Sequence, residues 1–202
     1  MDTTHEVIMG YAAQQAAMTA EEFLAWEVGQ TERHDFVDGE VFAMAGAEDR
    51  HVTVSGNIYI ALRQHLSGTP CRAFITDMKV ATADDRSFFY PDVIVTCSLV
   101  DRQSPLVKRE PTLIVEVLSP STAAYDQGTK FAHYRQITTL REIAFIDLDD
   151  RRTEVYRKGA DGLWVLHSFG KGADVQFASV DLTITAAALF ADVDDVPSAL
   201  QA

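Results

Sequence analysis

The chain has 202 residues and a formal net charge of −13, with 47% hydrophobic and 23% charged residues. This length and composition are typical of one globular domain with a real core, and they exclude wholesale disorder. No apolar run approaches the roughly 18 residues that a membrane span needs. The first residues, MDTTHEVIMG, lack the basic and apolar parts of a secretory signal, so we expect a cytoplasmic protein without a membrane segment.

The two cysteines, Cys71 and Cys97, do not have the spacing of a metal site. Disulfides are rare in cytosolic proteins. We therefore expect both side chains to be reduced thiols.

The N-terminal part of the chain predicts an extension, a helix and a hairpin. Residues 1–17 show no clear pattern and predict a loose extension, before one domain over 18–192 and a tail over 193–202. Thr19 and Glu22 match a capping box, which predicts a short helix over about 20–28. Two β-rich runs then flank Asp38-Gly39, a typical hairpin turn, and Glu40 begins the second run.

Residues 50–67 have helical periodicity, and His51 lies on the apolar face in the first turn. A long strand over 71–83 and a returning strand over 88–97 follow. If these two strands fold back near residue 85, Asp77 lies nearly opposite Asp92. Like charges that face each other destabilise a strand pair, and a cation between them would remove the repulsion. Residues 98–110 predict a loop carrying basic side chains.

The stretch LIVEVLSPST, residues 113–122, is the most informative part of the chain. A short aliphatic run that ends at Ser-Pro predicts a strand buried on both faces. Glu116 lies in the middle of this run, where a carboxylate is costly unless another group pairs with it. An arginine or a backbone amide would be a structural partner, whereas a metal ion or a catalytic role would be a functional one.

A helix over about 123–137 follows, with Asp126, Lys130 and Tyr134 spaced by four on one face. Lys130 could simply be the ion-pair partner of Asp126, and we expect the Tyr134 side chain to have a packing role. Three strands between residues 142 and 169 predict an antiparallel meander. The element order predicts a mixed α/β (α+β) domain, in which helices flank a central mixed sheet and a C-terminal meander extends it.

Asp92 and Glu116 fall on neighbouring predicted strands, where two carboxylates can hold one hard cation such as Mg²⁺ or Mn²⁺. A metal-bound water is a nucleophile for a phosphodiester, and a nearby lysine would orient it or stabilise added charge. The net charge of −13 disfavours a phosphate polymer unless metal ions or a local basic surface offset the repulsion.

Pro91-Asp92 and Glu116-Val117-Leu118 resemble the two halves of the PD-(D/E)XK nuclease motif, with Leu118 at the lysine position. More closely, the chain resembles the Uma-two family of restriction-endonuclease-like proteins. The matching segments cover most of residues 18–158 in order: MTAEEFLAW, VDGEVFAMAGAEDRH, YPDVIVTC, LIVEVLSPSTAAYDQGTKFAHYR and EIAFIDLDDRRTEVYR.

This resemblance implies a restriction-endonuclease-like core in which the lysine has moved to the next helix, at Lys130. It implies Mg²⁺ or Mn²⁺ held by Asp92, Glu116 and the backbone carbonyl of Val117. Glu40 and His51 are implied as further members of the site. Asp77 is a candidate only through the predicted strand register. The structural alternative for Glu40 is an ordinary exposed strand residue without a role in the site. For His51 it is a histidine whose polar atoms are satisfied within the core.

We therefore expect metal-dependent phosphodiester hydrolysis by a DNA endonuclease, with nucleic acid as partner and a homodimer as the assembly. The alternative is a catalytically weak or silent module on the same fold that binds nucleic acid or assembles with protein. Hydrolysis of a small phosphate ester ranks last, because the chain has no P-loop glycine motif.

Overall fold

The computed structural model describes residues 18–44, 46–82 and 84–193. The predicted extension over 1–17, and the predicted tail apart from residue 193, lie outside these ranges. The α-helices are α1 (Ala20–Glu27), α2 (Asp49–His65), α3 (Leu99–Gln103), α4 (Ala123–Tyr125), α5 (Phe131–Tyr134) and α6 (Ala186–Leu189). The strands are β1 (His34–Val37), β2 (Glu40–Ala43), β3 (Arg72–Ile75), β4 (Lys79–Ala81), β5 (Ser87–Phe89), β6 (Val93–Thr96), β7 (Val107–Lys108), β8 (Pro111–Leu118), β9 (Glu142–Asp147), β10 (Arg152–Lys158), β11 (Trp164–Phe169), β12 (Val175–Phe177) and β13 (Leu182–Ile184).

Two mixed sheets make up most of the fold, where the sequence predicts one central mixed sheet. The larger sheet has the order β11-β10-β9-β8-β6-β3, and the smaller one has the order β2-β1-β5-β4-β7. Strands β8 and β9 run parallel in the larger sheet, and β4 and β7 run parallel in the smaller one, whereas their other pairings are antiparallel. The predicted C-terminal meander is confirmed as β9, β10 and β11.

Strand β8 is the central strand of the larger sheet, between β6 and β9. Five consecutive side chains, residues 113–117, are buried, as expected for a strand covered on both faces. Helix α2 covers one face through Val54, Ile58 and Leu62. The helical segment over 123–134 covers the other face, where Tyr134 packs with Ile114 and Phe145.

Local signals in the sequence predict both the first helix and the hairpin correctly. The Thr19 side chain accepts the N–H of Glu22 at 3.2 Å, and the Glu22 carboxylate accepts the Thr19 N–H at 2.8 Å, which forms the capping box of α1. Asp38 and Gly39 both have positive φ, 49° and 101°. This conformation suits the two-residue turn between β1 and β2.

The predicted long strand over 71–83 is wrong, because the chain leaves one sheet and enters the other at this point. Thr76 and Asp77 have positive φ, 41° and 46°, and separate β3 from β4. Ile75 pairs with Val93, and the Thr76 N–H donates to the Asp92 carbonyl at 3.0 Å. Thr76, and not Asp77, therefore lies opposite Asp92, so the predicted register differs from the observed one by one residue.

The predicted loop over 98–110 contains α3 and β7. Buried Asp101 organises it, because its carboxylate accepts the Arg109 N–H at 2.8 Å and the Thr96 hydroxyl at 2.8 Å. The basic side chains are engaged within the chain. Arg102 donates to the Pro70 carbonyl, and buried Lys108 donates to the Asp101 carbonyl.

Cys71 and Cys97 form a disulfide, so the prediction of two reduced thiols is wrong. They extend β3 and β6 by one residue each beyond the pair of Arg72 with Thr96, and this register places the two cysteines opposite each other. Although the two cysteines are 26 residues apart in the sequence, they are direct neighbours across the two strands. None of the helices in the described ranges has the length and apolar character that a bilayer crossing requires.

We expect reduction of this disulfide to lower the free energy of unfolding by about 3.5 kcal/mol, because the cross-link restricts the unfolded chain around a 26-residue separation. Urea unfolding with and without dithiothreitol measures this difference. The double variant Cys71→Ser/Cys97→Ser should match the reduced wild type and should not respond to the reductant. Equal stability of the oxidised and reduced forms would contradict the expectation.

Candidate functional site

Asp92 lies directly before β6 and directly after Pro91. Its Oδ1 lies 2.7 Å from Nε2 of His51, in the first turn of α2. Its Oδ2 accepts the backbone N–H of Val117 at 2.7 Å. Burial alone would lower the pKa of His51, but the hydrogen bond and the negative charge of Asp92 raise it above its usual value. The two groups therefore favour an ion pair of imidazolium and carboxylate.

Glu116 projects from β8 into the buried space beneath the segment 123–134. It is 2% exposed, and its Oε1 accepts the Tyr134 hydroxyl at 2.7 Å and the Lys130 ammonium at 3.3 Å. Burial raises the pKa of Glu116 to about 8, although the charge of Lys130 works in the opposite direction. A buried acid with such a pKa is typical of a functional position, and also of a structural ion-pair network.

Lys130 lies at the centre of a group of carboxylates. It is the last residue of a π-helical segment, Asp126–Lys130. Short π-helical turns within helices, called π-bulges, are frequent at functional sites. Its Nζ lies 3.0 Å from Asp126 Oδ1, 3.3 Å from Glu116 Oε1 and 3.9 Å from Asp35 Oδ2. Burial lowers the pKa of Lys130, but the three carboxylates outweigh burial and raise it well above its usual value. Lys130 is therefore an ammonium ion.

Asp35, on β1, joins the site from the smaller sheet. Its Oδ1 accepts the Tyr90 N–H at 3.2 Å, and its Oδ2 is the atom that faces Lys130. Burial raises the pKa of Asp35 to about 6, and the charge of Lys130 partly offsets this effect. The site thus joins residues from both sheets and from the helical segment between β8 and β9.

The site has more negative than positive groups. Four carboxylates meet one ammonium and one imidazole: Asp35, Asp92, Glu116 and Asp126 with Lys130 and His51. Carboxylate oxygens are the donors that hard divalent cations prefer, so the chemistry of this set fits such an ion. As positioned, the described residues form no group of three or more His, Cys, Asp or Glu side chains that could hold a metal. A bound ion would therefore require a rearrangement, such as a shift of Lys130 or Tyr134 away from Glu116.

The structure brings together Asp92, Glu116, Lys130 and His51, which the sequence places in one site. The Val117 N–H points toward Asp92. Because the N–H and C=O of one strand residue point to the same side, the Val117 carbonyl lies on that side too.

Glu40 and Asp77 lie outside this group. Glu40 is exposed opposite Val37, and the contacts seen among the described residues do not join it to Lys130 or Asp92. The Asp77 side chain is 69% exposed and pairs with Arg33 at 3.1 Å.

A family model described as "Putative restriction endonuclease", Uma2, matches residues 20–187. The chain belongs to the Uma2 family. Two relatives come from Synechocystis sp. (strain ATCC 27184 / PCC 6803 / Kazusa). Uncharacterized protein slr1290 is 33% identical over 82% of this chain and 87% of its own length. Uncharacterized protein sll1609 is 35% identical over 80% of this chain and 93% of its own length.

A crystal structure of a putative nuclease belonging to DUF820, from Anabaena variabilis ATCC 29413, has the same fold. Its TM-score is 0.70 at 17% sequence identity, and the match covers 86% of this chain and 97% of the other. The resemblance to the Uma-two family and the predicted mixed α/β fold are thus confirmed.

Three residues of this Uma2 site were not assigned to it from the sequence: Asp35, Asp126 and Tyr134. The spacing of four between Asp126, Lys130 and Tyr134 already placed them on one face. What the sequence does not reveal is that this face turns inward, so that Tyr134 reaches Glu116. Asp35 had a weaker signal, a carboxylate inside the β-rich run HDFV.

Proposed function

We propose that this Uma2 protein is a metal-dependent phosphodiesterase that acts on DNA as an endonuclease. The observation that carries the proposal is the burial of Asp35, Glu116 and Asp126 around one ammonium, beside Asp92. Keeping so many carboxylates together is costly for stability alone. Such a cost is typical of sites that bind cations or perform acid–base chemistry.

In this proposal Asp92, Glu116 and the Val117 carbonyl hold Mg²⁺ or Mn²⁺. The ion, when bound, supplies Lewis acidity and a nucleophilic water. His51 and the Val117 N–H each hold one oxygen of Asp92, so the carboxylate keeps its orientation. Both oxygens retain a lone pair for a further partner.

Lys130 acts as a cation and not as a base in this mechanism, because its surrounding carboxylates keep it protonated. Its ammonium stabilises the negative charge that develops on the phosphoryl oxygens and orients the attacking water. Asp126 holds the ammonium at 3.0 Å, and Tyr134 holds Glu116 at 2.7 Å. These two contacts fix the lysine and the acid relative to each other, and the contact of Lys130 or of Tyr134 with Glu116 would have to loosen for Glu116 to hold the ion.

We expect the wild type to cut supercoiled or single-stranded DNA with Mg²⁺ or Mn²⁺, and Asp92→Asn to lose at least about a hundredfold of this activity. Asp77→Asn is the matched control, because it makes the same change at an exposed acid outside the site. It should keep full activity. Gel assays of initial rates measure all three proteins. A wild type that cuts no faster than Asp92→Asn would contradict the proposal.

A second candidate function is a silent module on the same fold that binds nucleic acid or assembles with protein. It is favoured by the occupation of Glu116 Oε1, where Lys130 and Tyr134 already bind. Calorimetric titration with Mn²⁺ separates the two functions. Micromolar affinity that disappears in Asp92→Asn supports the nuclease, whereas the absence of binding supports the module.

The proposal also includes a homodimer and a cytoplasmic location. Strand β11 lies at the edge of the larger sheet and exposes Val165 and Leu166, which supports pairing with a second copy. Light scattering tests this assembly. A disulfide is uncommon in the cytoplasm, so the thiol state of the two cysteines in cells bears directly on the location.

A further inference from the structure

A second buried polar cluster lies beside β1, across the strand from Lys130. Successive side chains of a strand point to opposite faces, so His34 and Asp35 face different environments. Glu27, the last residue of α1, is 1% exposed and reaches this second environment. Its Oε1 accepts the His34 backbone N–H at 3.1 Å and the Tyr90 hydroxyl at 2.8 Å. Its Oε2 lies 3.0 Å from His34 Nδ1.

Lys79 completes the cluster and sets the direction of the hydrogen bonds. Its Nζ donates to the Tyr90 hydroxyl at 3.0 Å. Because an ammonium can only donate, the hydroxyl oxygen accepts from Lys79 and its proton is free to point at Glu27. The chain of donors therefore runs in one direction, from Lys79 through Tyr90 to the Glu27 carboxylate.

The two residues that contact the Glu27 carboxylate lie close in the sequence to two acids of the candidate site. His34 directly precedes Asp35, and Tyr90 precedes Pro91-Asp92. The backbone N–H of Tyr90 also donates to Asp35 Oδ1 at 3.2 Å. The Tyr90 backbone therefore contacts the site, while its side chain contacts Glu27. A shift of the Tyr90 backbone would therefore displace Asp92, which lies two residues later in the chain.

We propose that Glu27 is a positioning residue, whose carboxylate holds β1 and the segment Tyr90-Pro91-Asp92 at the separation that the site requires. Among the described residues it contacts neither Lys130 nor His51, so it acts through His34 and Tyr90. Its effect on catalysis rests on the proposed function, but its effect on the geometry of the site does not.

The test compares Glu27→Ala, Glu27→Gln and the control Glu142→Ala by amide hydrogen exchange and by DNA cleavage. Glu142 is a matched control, because it is also 1% exposed and accepts backbone N–H groups, those of Ala178 and Ser179, in another part of the fold. In Glu27→Ala the amides of Tyr90 and Val117, which donate to Asp35 and Asp92, should exchange at least about tenfold faster relative to those of the buried residues Ile58 and Leu62 of α2. In cleavage assays kcat should fall while KM for DNA stays constant.

Glu27→Gln keeps an oxygen acceptor and should restore most of the protection and of kcat. Equal acceleration at all amides, or the same pattern in Glu142→Ala, would overturn the proposal, because Glu27 would then serve general stability. If the wild type does not cut DNA, the proposed function fails, but the exchange rates still decide the role of Glu27.

If Glu27→Ala does not fold, Tyr90→Phe replaces it in the test, because this variant removes only the hydroxyl between Glu27 and Lys79. Faster exchange confined to the amides of residues 90 and 117 supports the proposal, and unchanged exchange there overturns it.

Discussion

Lys130→Met should destabilise the protein by about 3–5 kcal/mol at pH 8, because it leaves buried carboxylates without their ammonium. Asp35, Glu116 and Asp126 are each 3% exposed or less, so water cannot replace the lost partner. Methionine has nearly the volume of lysine, which keeps the change close to one of charge. DNA cleavage should be lost as well, since no other ammonium lies beside Glu116 among the contacts of the described residues.

The loss should be smaller at pH 5 than at pH 8. Without Lys130 the pKa values of Asp35 and Glu116 rise further above about 6 and about 8, so both acids are neutral in the folded protein at pH 5. As the pH rises to 8 the folded variant must either keep these protons, which the unfolded chain has released, or bury unpaired charges, and both cost stability. In the wild type the raised pKa of Lys130 keeps its contribution to stability at both pH values. Urea unfolding at the two pH values measures the difference.

Lys171→Met is the control for this experiment, because it makes the same substitution at an exposed position. It should change the free energy of unfolding by less than about 0.5 kcal/mol. An equal loss for Lys130→Met at pH 5 and pH 8 would show that packing, and not charge, holds the lysine in place.

Glu116→Gln should remove a pH dependence of stability that the wild type shows between about pH 4.5 and pH 8. The pKa of Glu116 is raised from 4.5 to about 8 by burial, so in this window the folded protein binds more protons than the unfolded chain. The free energy of unfolding therefore falls as the pH rises through the window. The total fall attributable to Glu116 is on the order of a few kcal/mol. Glutamine does not titrate, so the variant should lack this fall.

Urea unfolding from pH 4 to pH 9 measures the slope for both proteins. Asp35→Asn is the matched control, because its pKa is raised from 3.8 to about 6 and it should remove only the part of the slope below about pH 6. Glu116→Gln should also lose at least about a hundredfold in DNA cleavage at every pH. Parallel slopes for wild type and Glu116→Gln would mean that Glu116 remains ionised throughout.

Most of the regular elements could be predicted, because their signals are local. The capping box, the Asp38-Gly39 turn and the apolar run around Glu116 each act within about ten residues of the chain. The failures share one cause. Residues 71–83 have a continuous β-like composition. The sequence therefore does not reveal that the backbone turns at Thr76 and Asp77, which have positive φ, and passes from one sheet to the other. Backbone reversals of this kind depend on pairing with β6, which is far away in the sequence.

The candidate site was predictable where residue spacing and family resemblance agreed. Asp92, Glu116, Lys130 and His51 meet as expected. Glu40 and Asp77 do not join them, and Asp77 failed because its assignment depended on a strand register. Asp35 could not be assigned from its own segment, since nothing local shows that β1 packs beside the loop before β6.

The sequence by itself determined most of the elements of this protein, its mixed α/β class and four of the side chains that meet in the candidate site, because these follow from local patterning and side-chain chemistry. Only the tertiary structure decided that Lys130 lies among three carboxylates, that two cysteines are joined and that Glu27 contacts His34 and Tyr90, the neighbours of two acids of the site. Each of these contacts joins segments that are separated along the chain and meet only when the sheets and helices pack. A local sequence pattern carries no information about which distant segments come together.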